Sequence, residues 1–178
     1  MSAGEGGEVA ADDGELIGQF RDRLEELDGT LHEAPSLPAA HAIARELIGA
    51  ATVARWSDEV LEGIVGPEQE APAVDADVSL IIADVAVAGT GAVGFVHRGG
   101  RARSTGLLPP RQVVLLDVAD LVADLATGFA HVGLRASPQP PPSNVVFAAG
   151  PSRTSDIEQR SIRGVHAPRD LTVVIFRR

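Results

Sequence analysis

NVVFAAGPSRTSDIEQRSIRGVHAPRD, Asn144 to Asp170, is the stretch that places this chain in a fold class. Val145 to Ala149 is a short apolar run of buried-strand character. Gly150-Pro151 breaks it, and Ser152, Arg153, Thr154 and Ser155 lead toward residues of helix-starting character. Ser155-Asp156-Ile157-Glu158 fits a capping box, Ser-x-x-Glu. Two roles are open for this turn. Its hydroxyls can cap a helix, or its unpaired backbone N–H groups can hold an anion, with Arg153 as a cationic fork. Asp156 and Glu158 suit the start of a helix dipole and repel an incoming anion, and either can pair with Arg153.

Working outward, similar strands recur. Gln112 to Leu116 predicts a buried strand, and Leu171 to Phe176 a closing one. Val78 to Val87 is almost wholly apolar, and Gly89-Thr90-Gly91 joins it to Ala92–Val96 as a predicted hairpin. Thr52 to Trp56 reads as a short strand, with Ser57 as the cap of the helix that follows.

Helical spacing appears at Leu16, Ile17, Phe20, Leu24, Leu27 and Leu31, and again at Ile43, Ala44, Leu47 and Ile48 behind Ser36. A further helix is expected after Asp117, with Val118, Leu121, Val122, Leu125 and Phe129 inward, Asp120 and Asp124 toward water, and an end at Gly133. Strands alternating with helices imply an α/β fold, a mostly parallel sheet flanked by helices with a β-hairpin. Ligands in such sheets sit beyond the C-terminal strand ends, where Gly150 to Arg153 would lie. Residues 1–14 read as a flexible acidic tail and 15–178 as one domain, with helices over 15–50.

Composition limits the chemistry. The 178 residues contain no cysteine, which excludes disulfides, cysteine-held iron–sulfur clusters and cysteine nucleophiles within the chain. All fifteen cationic side chains are arginine, so Schiff-base chemistry and a P-loop lysine are excluded. A net charge of −10 and 3% aromatic residues argue against nucleic-acid binding. Met1 to Asp13 has no apolar core of a signal peptide, and no run reaches the length of a membrane span, so a cytoplasmic location is expected.

Candidate ligand-binding residues are Thr90, Gly91, Gly150, Ser152, Arg153 and Thr154, with Arg101 and Arg103 from the basic loop Arg98–Gly106 as a lid over an anion. Gly89-Thr90-Gly91 opens no helix and so lacks the context of a dinucleotide loop. His166 is the candidate acid or base. Asp84, in an apolar run, needs partners or orients the Gly89–Gly91 turn. The five histidines show no metal-ligand spacing, and no metal site is expected.

Four segments together resemble the LutC/YkgG family of LUD-domain lactate utilisation proteins: Ala83–Gly91, Leu107–Pro110, Gly150–Glu158 and Gly164–Arg169. The resemblance runs from about Ala76 to the C-terminus and is looser before it. It implies a NagB/RpiA/CoA-transferase-like α/β domain. It also implies a role in bacterial oxidation of L-lactate to pyruvate beside partner subunits that carry the iron–sulfur clusters, with no cofactor in this chain. Relatives usually have Glu-Thr-Gly-Thr where this chain has Gly89-Thr90-Gly91-Ala92, and glycine at Ala167. Two alternatives stand beside a lactate-system subunit. One is a free-standing enzyme or binder of a phosphorylated or CoA-type metabolite. The other is an interaction module docking through the Leu16–Leu31 helix.

Overall fold

The computed structural model describes residues 13–136, 142–155, 161–163 and 167–178. Helix α1 spans Asp13–Glu26, so Asp13 and Gly14 of the expected tail are already helical. Its stripe Ile17, Phe20 and Leu24 is buried against the domain, so it is not free to dock a partner. Leu31 does not continue that stripe: residues Thr30–Ala34 form strand β1. Asp28, at φ 65°, and Gly29, whose Cβ would fall 2.5 Å from Leu24 Cδ1, end the helix and turn the chain back along it. The expected all-helical segment over 15–50 is therefore helix, strand, helix.

Helix α2 (Leu37–Ile48) starts as the sequence predicts, with the Ser36 Oγ accepting from the Ala39 N–H and Pro38 in the first turn. Strand β2 is Val53–Arg55. Ser57 does not cap the next turn: Asp58 does, its carboxylate accepting from the Val60 N–H at 3.1 Å in a 3-10 turn over Glu59–Leu61.

The apolar run from Val78 splits in two, into β3 (Val78–Ile82) and β4 (Val85–Val87). The break lies at Ala83–Asp84, where the Ala83 N–H still bonds to Leu115 O and the Asp84 N–H already bonds to Gly94 O. A buried strand of this length reads as continuous; only the carboxylate at Asp84 marks the place where the chain changes sheets. Strand β5 (Ala92–His97) pairs antiparallel with β4 around Gly89–Gly91, as expected of a hairpin.

A five-residue helix α3 (Arg103–Leu107) follows, then β6 (Arg111–Asp117). Asp117 caps only a 3-10 turn over Val118–Asp120. Leu121–Val122 is strand β7, paired with Ala86–Val87, and helix α4 runs over Leu125–Ala136. Moving two residues into a strand changes the helical phase. Gly128 and Val132 face inward, Leu125 and Phe129 are exposed, and Asp120 is buried beside His131, Nε2 to Oδ1 3.1 Å. The helix also passes Gly133 rather than ending there.

The remaining strands are β8 (Asn144–Ala149), β9 (Arg153–Ser155), β10 (Ser161–Arg163) and β11 (Asp170–Phe176). The main sheet has the order β1-β11-β6-β3-β2 and is parallel throughout. Its centre, β11, β6 and β3, carries the fully buried Val78, Leu80, Leu115, Leu116 and Val174. The second sheet, β7-β4-β5-β8, is mostly antiparallel. Strand β8 is its edge and only half-buried. Gly150 thus follows an antiparallel edge strand, not a strand of the parallel sheet. Beyond it, Arg153–Ser155 pairs with Ser161–Arg163 as a two-stranded ribbon instead of starting a helix. Thr154 and Ile162 are opposite in register, and both are β-branched types that favour an extended backbone. Asp156 and Glu158, of the expected first helical turn, lie outside the described residues.

Candidate functional site

A cavity of about 430 Å³ opens between the two sheets, within the size range of small-molecule sites. Strands β3 and β6 of the main sheet contribute Ile81 and Gln112 to its wall; β5 contributes Phe95 and His97. Strand β8 alternates, as a strand must. Asn144, Val146 and Ala148 line the cavity, while Val145 and Phe147 pack behind, against Val85, Val96 and Val132. Gly150, Pro151 and Ser152 continue the wall from the end of β8, and α3 brings Arg103 and Leu107.

Trp56, the sole tryptophan, is fully buried in that wall. Its Nε1–H donates to Ala102 O at 3.0 Å, and its ring meets Phe95 and His97 edge-on, centroids 5.9 and 5.3 Å apart. The His97 imidazole is 5% exposed. Its Nδ1 lies 3.2 Å from Arg101 O. A carbonyl only accepts, so Nδ1 carries the proton and Nε2 of the neutral ring is an acceptor. Among the described residues Nε2 has no hydrogen-bond partner.

Beneath His97 lies a buried charge cluster. Asp84 Oδ2 accepts from the Val96 N–H at 2.7 Å. Arg101 Nη1 donates to both Asp84 oxygens at 2.8 and 2.9 Å, Arg101 Nη2 to Asp58, and Arg98 Nη2 to Asp84 at 3.2 Å. The Arg101 guanidinium also lies over the Trp56 ring, 5.2 Å from its centroid. Burial works against the Arg101 charge. The Asp84 carboxylate and the bonds to Asp58 and Asp84 more than offset it, and hold Arg101 above the usual guanidinium range.

The sequence-predicted residues divide accordingly. Gly150, Ser152 and Arg103 line the cavity. Arg103 is exposed, and among the described residues its guanidinium has no hydrogen bond or ion pair. Arg101 is committed to two carboxylates, so the basic loop is pinned at that point rather than free as a lid. Asp84 holds this loop, not the Gly89–Gly91 turn.

Thr90 and Gly91 are not in the wall. Gly91, at φ 67°, backs onto α1, where a Cβ would fall 2.8 Å from Arg23 C. The three N–H groups of the turn already bond to Ala123 O or Val87 O, leaving no backbone donor for a phosphate. Gly150, at φ 73°, also backs onto the end of α1, where a Cβ would fall 2.5 Å from Leu27 O. The backbone puts Arg153 and Thr154 on β9, next to the Ser152 lip. His166 lies outside the described residues.

Sequence reasoning missed Trp56, His97, Gln112 and Asn144. Only His97 carried a signal, a histidine closing an apolar strand just before Arg-Gly-Gly-Arg. The Gln112 Nε2–H2 donates to Gly106 O at 3.0 Å and ties α3 to the main sheet. Among the described residues no group of three His, Cys, Asp or Glu could hold a metal ion, and no helix is long and apolar enough to cross a membrane.

Comparison with known proteins agrees with this architecture. The family model described as the LUD domain matches residues 52–176. Lactate utilization protein C of Shouchella clausii (strain KSM-K16) is 32% identical over 93 residues, 52% of this chain and 41% of that protein. Its namesake from Halalkalibacterium halodurans is 32% identical over 111 residues, 62% of this chain and 48% of that protein. The chain thus spans about half the length of these two relatives. A Lactate utilization protein C from Deinococcus radiodurans is 28% identical over 171 residues, 90% of this chain and 79% of that protein. The crystal structure of a DUF162 family protein from Deinococcus radiodurans shares the fold, with a TM-score of 0.68 at 21% identity over 94% of this chain and 99% of that one. The family match includes every strand but β1, reaching further back than Ala76, and the chain belongs to the LUD-domain family.

Proposed function

We propose that this LUD-domain chain is a subunit supporting L-lactate utilisation, the oxidation of lactate to pyruvate, beside partners that carry iron–sulfur clusters. Its own part is to hold a small organic acid in the cavity between the sheets. The observation that carries this reading is Arg103: an unpaired guanidinium, among the described residues, on a cavity whose other walls are mainly apolar. Such a fork suits a carboxylate. The names of the curated relatives supply the lactate system. The test is deletion of the gene in its native host, with growth on L-lactate as readout and affinity capture of the tagged chain from lactate-grown cells. Slow growth on lactate, restored by the wild-type gene but not by Arg103→Gln, together with captured iron–sulfur proteins, supports the proposal. Normal growth and no iron–sulfur partner refutes it.

A further inference from the structure

The geometry points to a 2-hydroxy acid with an apolar side chain longer than methyl as the ligand, its carboxylate on Arg103 and its hydroxyl donating to His97 Nε2. This rests on the proposed acid-binding role of the cavity and names the class of acid.

Three observations combine. The described wall supplies one uncommitted cation, Arg103, while His97, Gln112, Asn144 and Ser152 are neutral donors or acceptors. One cation matches a monoanion better than a phosphate ester or a CoA, which bring two or more charges. His97 is then decisive. Arg101 O fixes the proton on Nδ1, and Arg101 is itself held by Asp84 and Asp58, so the free nitrogen of the neutral ring can only accept. A 2-hydroxy acid offers a donor there, while a 2-oxo acid presents a second acceptor. Arg101 is thus a positioning residue for His97. Finally, 430 Å³ lined by Val146, Ala148, Ile81 and Leu107 leaves room beyond the three carbons of lactate, and each additional buried methylene brings roughly a three- to fourfold gain.

The test is calorimetric titration of the purified full chain at pH 8. The probes are L-lactate, L-2-hydroxyisocaproate, its 2-oxo analogue 4-methyl-2-oxopentanoate, and acetyl-CoA. L-2-hydroxyisocaproate should bind about tenfold or more tighter than L-lactate, and about tenfold or more tighter than the 2-oxo acid. His97→Phe, which keeps an aromatic ring beside Trp56, should abolish the hydroxy-over-oxo preference. Should that variant fail to fold, two others decide the matter. Exposed Arg103→Gln should weaken both branched acids by about tenfold or more, and Ala148→Leu should remove the preference for the longer acid while sparing lactate. Equal affinity for the hydroxy and oxo acids, binding of neither, or Arg103-dependent binding of acetyl-CoA overturns the inference. The outcomes separate from those of the growth test: impaired growth with the hydroxy and oxo acids bound equally sinks the ligand class alone, and normal growth with the longer acid bound sinks the lactate role alone.

Discussion

Replacing Asp84 by alanine should destabilise the protein more than any single change at its surface, and the cause is charge left behind. Asp84 is 2% exposed and receives the Val96 N–H and two guanidinium groups. Removing it leaves the Arg101 side chain, 11% exposed, with Asp58 as its one remaining carboxylate. Breaking a buried pair from one side costs about 3–5 kcal/mol, most of it the unpaired charge. Asp58 retains part of that compensation and the orphaned Val96 N–H adds about 1 kcal/mol or more, so about 3–4 kcal/mol is expected. For a domain of this size that is a fall in Tm of about 6–16 °C. Urea unfolding followed by Trp56 emission is the assay, since that ring is fully buried at the cluster. Arg101→Met also removes the charge, so the double variant should recover much of the loss, with a coupling of at least about 2 kcal/mol. A loss below about 1 kcal/mol for Asp84→Ala, or additive single effects, would refute this reading of the cluster.

Gly150→Ala should lower Tm, because the φ of 73° is strained for alanine and its Cβ would meet Leu27 O at 2.5 Å; an unchanged melt argues against the close packing of this turn on the end of α1. At the start of β3, the Thr52 hydroxyl and then its N–H bond to the Asp77 carboxylate and hold it below the ordinary value of 3.8. A depressed carboxylate stabilises above its unfolded pKa and loses that contribution as pH falls through the folded one. Asp77→Asn should therefore be less stable than wild type at pH 7, with the gap closing below 3.8, and an NMR titration of Asp77 should give a midpoint under 3.8.

What was legible in the sequence was what local pattern controls. The apolar runs of β6 and β11 and the Ser36 cap of α2 specify themselves within a few residues. Strand β1 was hidden because Leu31 continues the spacing of α1, and β7 because Leu121 and Val122 fit the stripe of the helix beyond. The split at Asp84 is a hand-over from Leu115 of the main sheet to Gly94 of the hairpin, and Leu115 is distant in sequence. The same holds for the cavity. Gly150, Ser152 and Arg103 were found through local chemistry. His97, Trp56, Gln112 and Asn144 meet only because β5 and β8 form a second sheet facing the first, which single-strand periodicity does not encode. Thr90 and Gly91 show the converse: a glycine-rich turn of phosphate-binding composition whose donors the fold has already used.

The most direct measurement is a crystal structure of the chain with L-2-hydroxyisocaproate bound. Density is expected between the two sheets, with the carboxylate within hydrogen-bond distance of the Arg103 guanidinium and the hydroxyl on His97 Nε2. A ligand seated elsewhere, or in the cavity with its carboxylate away from Arg103, would contradict the proposed binding mode.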